Sequence, residues 1–410
     1  MPLPLLKESG IRRMFRDRRL LILLLVILAN LIGFGIIIPF LPLYATRLGA
    51  SPWQVGWLFA SYSIAQMLAS PFLGELSDRY GRRWVLMASL WTTTLSFVIL
   101  ALADRLWMLF AARIIDGLGG ASIPTVRAYI GDVTEPQDRA RAYGLLGASF
   151  GVGLVLGPAL SGLLAHGGPS LPAWGAAVLS FVALVATWLW LPETVHRTRA
   201  RTAYAWSEFR QVFRQPVVGY LLITDFLYWN ASTAYQTTFP LFGQARFHLS
   251  VSQVGYLFAL IGALGILMQL YLVGPIVRRI GERAALTYGF VLMGLGLVGI
   301  GFTHRLGTFV AWIVPTALGA SLGLPSLIAL ISHTGGPEYQ GRIQGVSSSL
   351  ESLARIAGPV WGNGLFQWVG PGAPYVSAGL LTLATGVWAG YRLAARVEGA
   401  GRWVASRLGR

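Results

Sequence analysis

Six ionisable side chains lie inside long apolar runs of this sequence: Arg113, Asp116, Arg127, Asp225, Glu351 and Arg355. Within a membrane each ionised group costs several kcal/mol, so charge kept there is expected to work. Spacing sorts the six. Arg113 precedes Asp116 by three residues and Glu351 precedes Arg355 by four, so each couple shares one helix face and can pair. Asp225 has no such partner in its run. A paired acid stays ionised, whereas an acid in apolar surroundings without a cation takes up a proton and can hand it on. Asp225 is therefore the first candidate for proton coupling, and Asp116 with Arg113 the second. Glu351 with Arg355 is the third, with a structural pair as its plain alternative. Around Asp225 the run TDFLYWNASTAYQTTF (224–239) offers Tyr228, Trp229, Asn230, Tyr235 and Gln236 to a substrate cavity. Arg127 lies near the end of its run, where a long side chain can snorkel to water.

Other chemistry is not visible. The five histidines, at 166, 196, 248, 304 and 333, are far apart, and there is no cysteine. No disulfide, metal site or thiolate is expected. No phosphate-cradling Walker sequence and no nucleophile–base constellation is present, so the reading is not an enzyme, without cofactor and without ATP.

The elements that hold these residues follow from composition. The chain has 410 residues, 55% hydrophobic and 12% charged. A soluble domain carries about twice that share of charge. Apolar segments near the roughly 20 residues needed to cross a bilayer as a helix recur throughout. The expectation is an all-α membrane protein of twelve transmembrane helices. The spans fall near 20–44, 52–73, 84–103, 107–131, 141–165, 172–191, 216–240, 252–274, 284–302, 307–332, 343–368 and 374–395. Placing both termini in the cytoplasm puts twenty-five arginines and lysines on that side. The other side then holds four: Arg47, Arg105, Arg246 and Arg305. Such asymmetry sets orientation in a plasma or inner membrane. It also accounts for the net charge of +16 without nucleic acid. The lipid bilayer, protons and a small-molecule substrate are the expected partners, and the chain is expected to act as a monomer.

The two halves echo each other at an offset of about 200 residues. GELSDRYGRR (74–83) aligns with GPIVRRIGER (274–283), and RAYGLLGASFGVGLVLGPALSG (141–162) with RIQGVSSSLESLARIAGPVWGN (342–363). The predicted organisation is a cytoplasmic segment 1–19, a six-helix half 20–191, a linker 192–215, a pseudo-symmetric six-helix half 216–395 and a tail 396–410. Proteins built from such repeats usually bind substrate between the halves near mid-membrane. The charged stretch 74–83 reads as a short turn. Gly74 and Gly81 supply tight packing and unusual backbone angles there. Arg82 is four residues from Asp78 and within reach of Asp132. In the second half Arg278 and Glu282 swap the polarity at a spacing that permits a local pair. Glycines spaced along 147–162, with Gly153, Gly157 and Gly162 beside Pro158, predict a close, bendable helix contact between the halves.

On these residues the chain resembles the major facilitator superfamily, and more narrowly its twelve-helix drug–proton antiporters, including bacterial tetracycline efflux proteins. GELSDRYGRRWVL matches the superfamily's loop 2–3 signature, with Gly74, Asp78, Arg79, Gly81, Arg82 and Arg83 at its specified positions. RIIDGLGGA (113–121) resembles the helix 4 motif and departs from it at Asp116. GVGLVLGPALSG (151–162) resembles the antiporter motif of helix 5, with Ser161 in place of a glycine, and LPET (191–194) recurs after helix 6 of these exporters. The tetracycline exporters carry an acid in helix 1 where this chain has Asn30, so their coupling arrangement does not carry over. The resemblance implies that helices 1, 4, 7 and 10 line a central cavity. It also implies that Asp78 meets the start of helix 11, so that the loop latches the outward-facing state. The implied function is proton-coupled efflux of amphiphilic, drug-like compounds by alternating access; the alternative is a proton-coupled transporter of sugars or other small metabolites.

Overall fold

The computed structural model describes residues 18–120, 122–134, 138–194, 212–213, 216–334 and 337–408. Most of the predicted segments 1–19 and 192–215 therefore lies outside the described residues. Thirteen α-helices are used below: α1 (Arg18–Arg47), α2 (Pro52–Tyr80), α3 (Arg82–Ala101), α4 (Leu106–Leu118), α5 (Ser122–Val133), α6 (Arg139–Leu164) and α7 (Leu171–Trp190). They continue with α8 (Pro216–Phe247), α9 (Val251–Leu267), α10 (Gly274–Gly301), α11 (Leu306–His333), α12 (Pro337–Trp368) and α13 (Ala373–Leu408). No strand occurs among the described residues.

Among the described residues, seven stretches are long and apolar enough to cross a membrane. One of them, Val251–Gly301, is 51 residues long and is broken at Gly281 (φ 81°, ψ 156°), which separates two passes. The helices not among the seven, α2, α8, α12 and α13, have 29, 32, 32 and 36 residues and a more polar composition. Among the described residues, helices thus occupy all twelve predicted spans, and the protein is an all-helical, multi-pass membrane protein. Three details differ from the sequence expectation. The turn after span 2 is a single residue, Gly81 (φ 115°), because helix continues through Asp78 to Tyr80 on one side and restarts at Arg82 on the other. Span 4 is interrupted after Leu118 by Gly119 and Gly120, where two glycines lower helix stability together. Span 8 passes through a π-turn at Met268–Val273.

The chain forms two compact units. One gathers the described residues within 1–49, 61–203 and 251–259; the other gathers those within 50–60, 204–250 and 260–410. Each half of the sequence therefore lends a short helical piece to the other's unit. The repeat is visible in equivalent contacts. In the first unit a β-carbon on Gly255 would lie 2.6 Å from the Pro158 carbonyl oxygen; in the second, one on Gly56 would lie 2.5 Å from that of Pro359. Only glycine lets those backbones meet.

The same geometry corrects the reading of the helix 5 motif. Gly153 and Gly157 pack on α1, within their own half: a β-carbon on Gly157 would lie 2.6 Å from Gly35 Cα. Pro158 and Gly162 alone of the motif meet the piece from the other half, at Ser252 and Gly255. Around α1 the core is aliphatic, with Leu23, Val26, Ile27, Leu86, Leu90 and Val126 almost wholly buried.

Candidate functional site: two buried acidic centres

The first centre lies in the first unit. Arg113 is 1% exposed, and its Nη1 pairs with Asp116 Oδ2 at 3.0 Å. Thr93 Oγ1 donates to Asp116 Oδ1 at 2.9 Å, from α3. The guanidinium also lies 4.2 Å over the ring of Tyr62 on α2, a cation–π contact. Helix α4 ends two residues after Asp116, and its freed carbonyls need donors. Ser89 donates to the Gly119 oxygen, and Gln66 Nε2 donates to the Gly120 oxygen at 2.9 Å. Gln66 Nε2 also donates to the Tyr62 hydroxyl at 3.2 Å. One face of α2 thus touches both the charged pair and the break beside it. The sequence reading found Arg113 and Asp116 and missed Tyr62, Gln66 and Thr93. The adjacent glycines at 119 and 120 were the available signal. Asn30 is half-buried, and its amide donates to the Val26 carbonyl of its own helix at 3.0 Å.

The second centre lies in the second unit, between α8 and α12. Asp225 is 1% exposed and accepts a 2.6 Å hydrogen bond from Ser347 Oγ. Among the described residues no cation forms an ion pair with it. Further along, Thr233 Oγ1 donates to the Ala354 oxygen at 3.2 Å, and Asn363 Nδ2 donates to Thr237 Oγ1 at 3.0 Å. Trp361 Nε1 donates to Asn230 Oδ1. This ladder explains why span 7 is so polar. Tyr228 is buried and stacks on Phe290 with centroids 5.2 Å apart. Trp229, Tyr235 and Gln236 are half-buried. Glu351 Oε2 and Arg355 Nη2 approach to 3.7 Å, and the Arg355 guanidinium lies 5.0 Å over the Trp229 ring. Their side chains are 30% and 39% exposed, so this pair is far less buried than Arg113–Asp116.

The charged turn forms a third cluster, in the first unit. Arg82 bonds Asp78 through Nη1 and Asp132 Oδ2 through Nε at 3.3 Å, as its spacing predicts. Arg79 is exposed, over the Tyr80 ring. Glu193 of the LPET stretch was not assigned a role from sequence. Its Oε1 accepts from the Arg83 and Thr194 N–H groups at 3.3 and 2.9 Å, and a β-carbon on Gly81 would collide with its carboxylate. Gly74 has nothing within 4 Å of a β-carbon, which corrects the tight-packing role assigned to it. In the other unit Glu282 pairs with His333 Nδ1 at 3.2 Å, not with Arg278. That pair occupies the places of Arg82 and Asp132, with the acid now on the α10 side.

A prediction follows from the contrast between the two glycines. Gly81→Ala lowers stability by about 1–3 kcal/mol, from positive φ and the displaced Glu193. Gly74→Ala is neutral or stabilising by up to about 1 kcal/mol through helix propensity. Thermal unfolding in detergent reads both; equal loss in the two variants contradicts the assignment.

The sequence model described as Major Facilitator Superfamily matches residues 23–359, with a further match over 266–403. Tetracycline resistance protein, class C, of Escherichia coli is 32% identical over 394 residues, covering 91% of this chain and 98% of that protein. Multidrug resistance protein 2 of Bacillus subtilis (strain 168) is 29% identical over 386 residues, covering 90% and 94%. Among solved structures, the human organic anion transporter MFSD10 (TETRAN) superposes with a TM-score of 0.67 at 24% identity, covering 91% of this chain and 99% of that one. That last likeness concerns the fold.

Proposed function

Since the chain belongs to the major facilitator superfamily, we propose that it is a secondary transporter that exports amphiphilic, drug-like molecules in exchange for protons. The observation that carries the reading is Asp225: a carboxyl group 1% exposed that accepts from Ser347 and forms no ion pair among the described residues. Such a group binds and releases a proton without a permanent charge in the membrane. The relatives named for tetracycline and multidrug resistance support an exported, drug-like cargo. Asp116, held by Arg113 and Thr93, is the second coupling group. Competition of cargo and proton for these centres enforces exchange, and the proton gradient supplies the work through alternating access. The Asp78–Arg82–Asp132 cluster is assigned as a latch whose bonds part when the transporter changes state. The chain sits in the cytoplasmic membrane with both termini and the Gly81 turn inside, and works as a monomer without cofactor.

The direct test is purified protein in liposomes under an imposed pH gradient, over a compound panel that includes tetracycline, ethidium and a sugar. The expected result is uphill movement of one or more drug-like compounds, abolished by a proton uncoupler. Sugar movement alone supports the metabolite alternative, and gradient-independent flux rejects proton coupling.

A further inference from the structure

The side of the first unit where α3 meets α7 holds an open groove of about 500 Å³. Trp84, Met87 and Trp91 line it from α3; Phe181, Leu184 and Trp188 line it from α7. On both helices the lining residues recur at spacings of three and four, so each contributes one face. The three indoles are 56–60% exposed, and none bonds an acceptor among the described residues. Trp91 lies seven residues, about 10 Å, deeper than Trp84 along the helix. Tryptophan belongs at membrane interfaces, where its N–H finds an acceptor. An exposed indole at that depth is stabilised by an acceptor that a ligand can supply.

A guanidinium stands at the mouth of the groove. Arg83 Nη2 donates to the Trp188 carbonyl at 2.5 Å, which fixes the guanidinium beside the groove, and its Nε is buried without a partner. Glu193 is the nearby acid, and its carboxylate accepts from the backbone of Arg83 and Thr194 at the turn. The side-chain polar groups of the groove and the Arg83 guanidinium are hydrogen-bond donors only.

The repeat supplies an internal control. The corresponding interface of the second unit lies between α10 and α13. There Arg283 Nη2 donates to the Gly390 carbonyl at 3.2 Å, repeating Arg83 and Trp188. A β-carbon on Gly386 would lie 2.8 Å from Phe290 Cβ, and one on Gly294 would lie 2.7 Å from the Gly379 oxygen. Glycines close that interface at backbone distance. In the first unit the arginine bond is kept, alanines and Ser180 fill the buried face of α7, and the exposed aromatics form the groove along its outer edge.

We propose that this groove binds an anionic phospholipid from the leaflet next to the Gly81 turn. Its phosphate would meet Arg83, its acyl chains would lie on Trp84, Trp91, Phe181 and Trp188, and its oxygens would accept from the indoles. Phosphate and ester oxygens match the Arg83 guanidinium and the indole donors, and the nearby acid that could receive the ammonium of a zwitterionic lipid, Glu193, is held by the backbone of Arg83 and Thr194. The lipid would brace the turn against the end of span 6.

Native mass spectrometry of the full chain, released from micelles holding equal phosphatidylglycerol and phosphatidylcholine, tests this. One phosphatidylglycerol is expected to be retained in about five-fold preference, as one interfacial arginine provides. Arg83→Gln removes that preference, and Trp84→Leu/Trp91→Leu/Trp188→Leu lowers retention of either lipid. Trp91→Leu alone, at an exposed position, weakens retention and carries the test if the triple variant does not fold. Equal retention of the two lipids by the parent, unchanged preference in Arg83→Gln, or unchanged retention in the tryptophan variants overturns the proposal. So does displacement of the retained lipid by ethidium, which makes the groove a cargo site.

Discussion

Asp225→Asn abolishes gradient-driven accumulation while leaving cargo binding and downhill exchange measurable. Asparagine keeps the size of the side chain, and its oxygen still accepts from Ser347, whose 2.6 Å bond marks a strong acceptor. It cannot take up a proton, so the cycle runs without its energy source. Uphill uptake into liposomes falls to the uncoupled leak, whereas counterflow at equal pH persists. A variant that accumulates cargo as the parent does would remove Asp225 from the coupling role. Ser347→Ala separates position from proton exchange: accumulation is reduced rather than lost, because the carboxyl group remains.

The second large effect concerns stability. Arg113→Ala leaves the Asp116 carboxylate buried without its cation, and breaking a buried pair in this way costs about 3–5 kcal/mol. Expression and thermal stability in detergent drop accordingly. The double substitution Arg113→Met/Asp116→Leu removes both charges and recovers most of that loss, since a buried pair is often replaceable by apolar groups. Transport is not recovered. The split matters, because a purely structural pair would give back activity together with stability. If the double variant transports normally, this centre has no part in coupling. The same cycle measured in a Gln66→Leu background shows whether the break at Gly119 and Gly120 is energetically tied to the pair. Additive losses mean that it is not.

Much of this architecture is legible without coordinates because hydrophobic length and arginine placement are local properties. The paired spacings Arg113–Asp116, Glu351–Arg355 and Asp78–Arg82 all appear as bonds, since residues three or four apart on a helix are neighbours by construction. Arg82 also reaches Asp132, fifty residues on. What was not legible has one physical cause. Tyr228 and Asn230 stand out in sequence because they are polar or amphipathic in a span. Their partners, Phe290 and Trp361, come from other helices, and a single helix cannot say which of its faces is covered. The helix 5 glycines divide in the same way, some toward α1 and some toward Gly255.

The sequence by itself determined a membrane protein of two repeated halves, with acids within spans 4, 7 and 11 and a charged turn after span 2. Length, hydropathy and repeat offset carry that information along the chain. Only the tertiary structure decided which acid lacks a cation, where span 4 breaks and why Glu193 sits against Gly81. It also decided which of two equivalent helix pairs carries an outward groove of exposed tryptophans. Those outcomes depend on side chains brought together from distant helices, and the energy of a buried charge or an exposed indole is set by those neighbours.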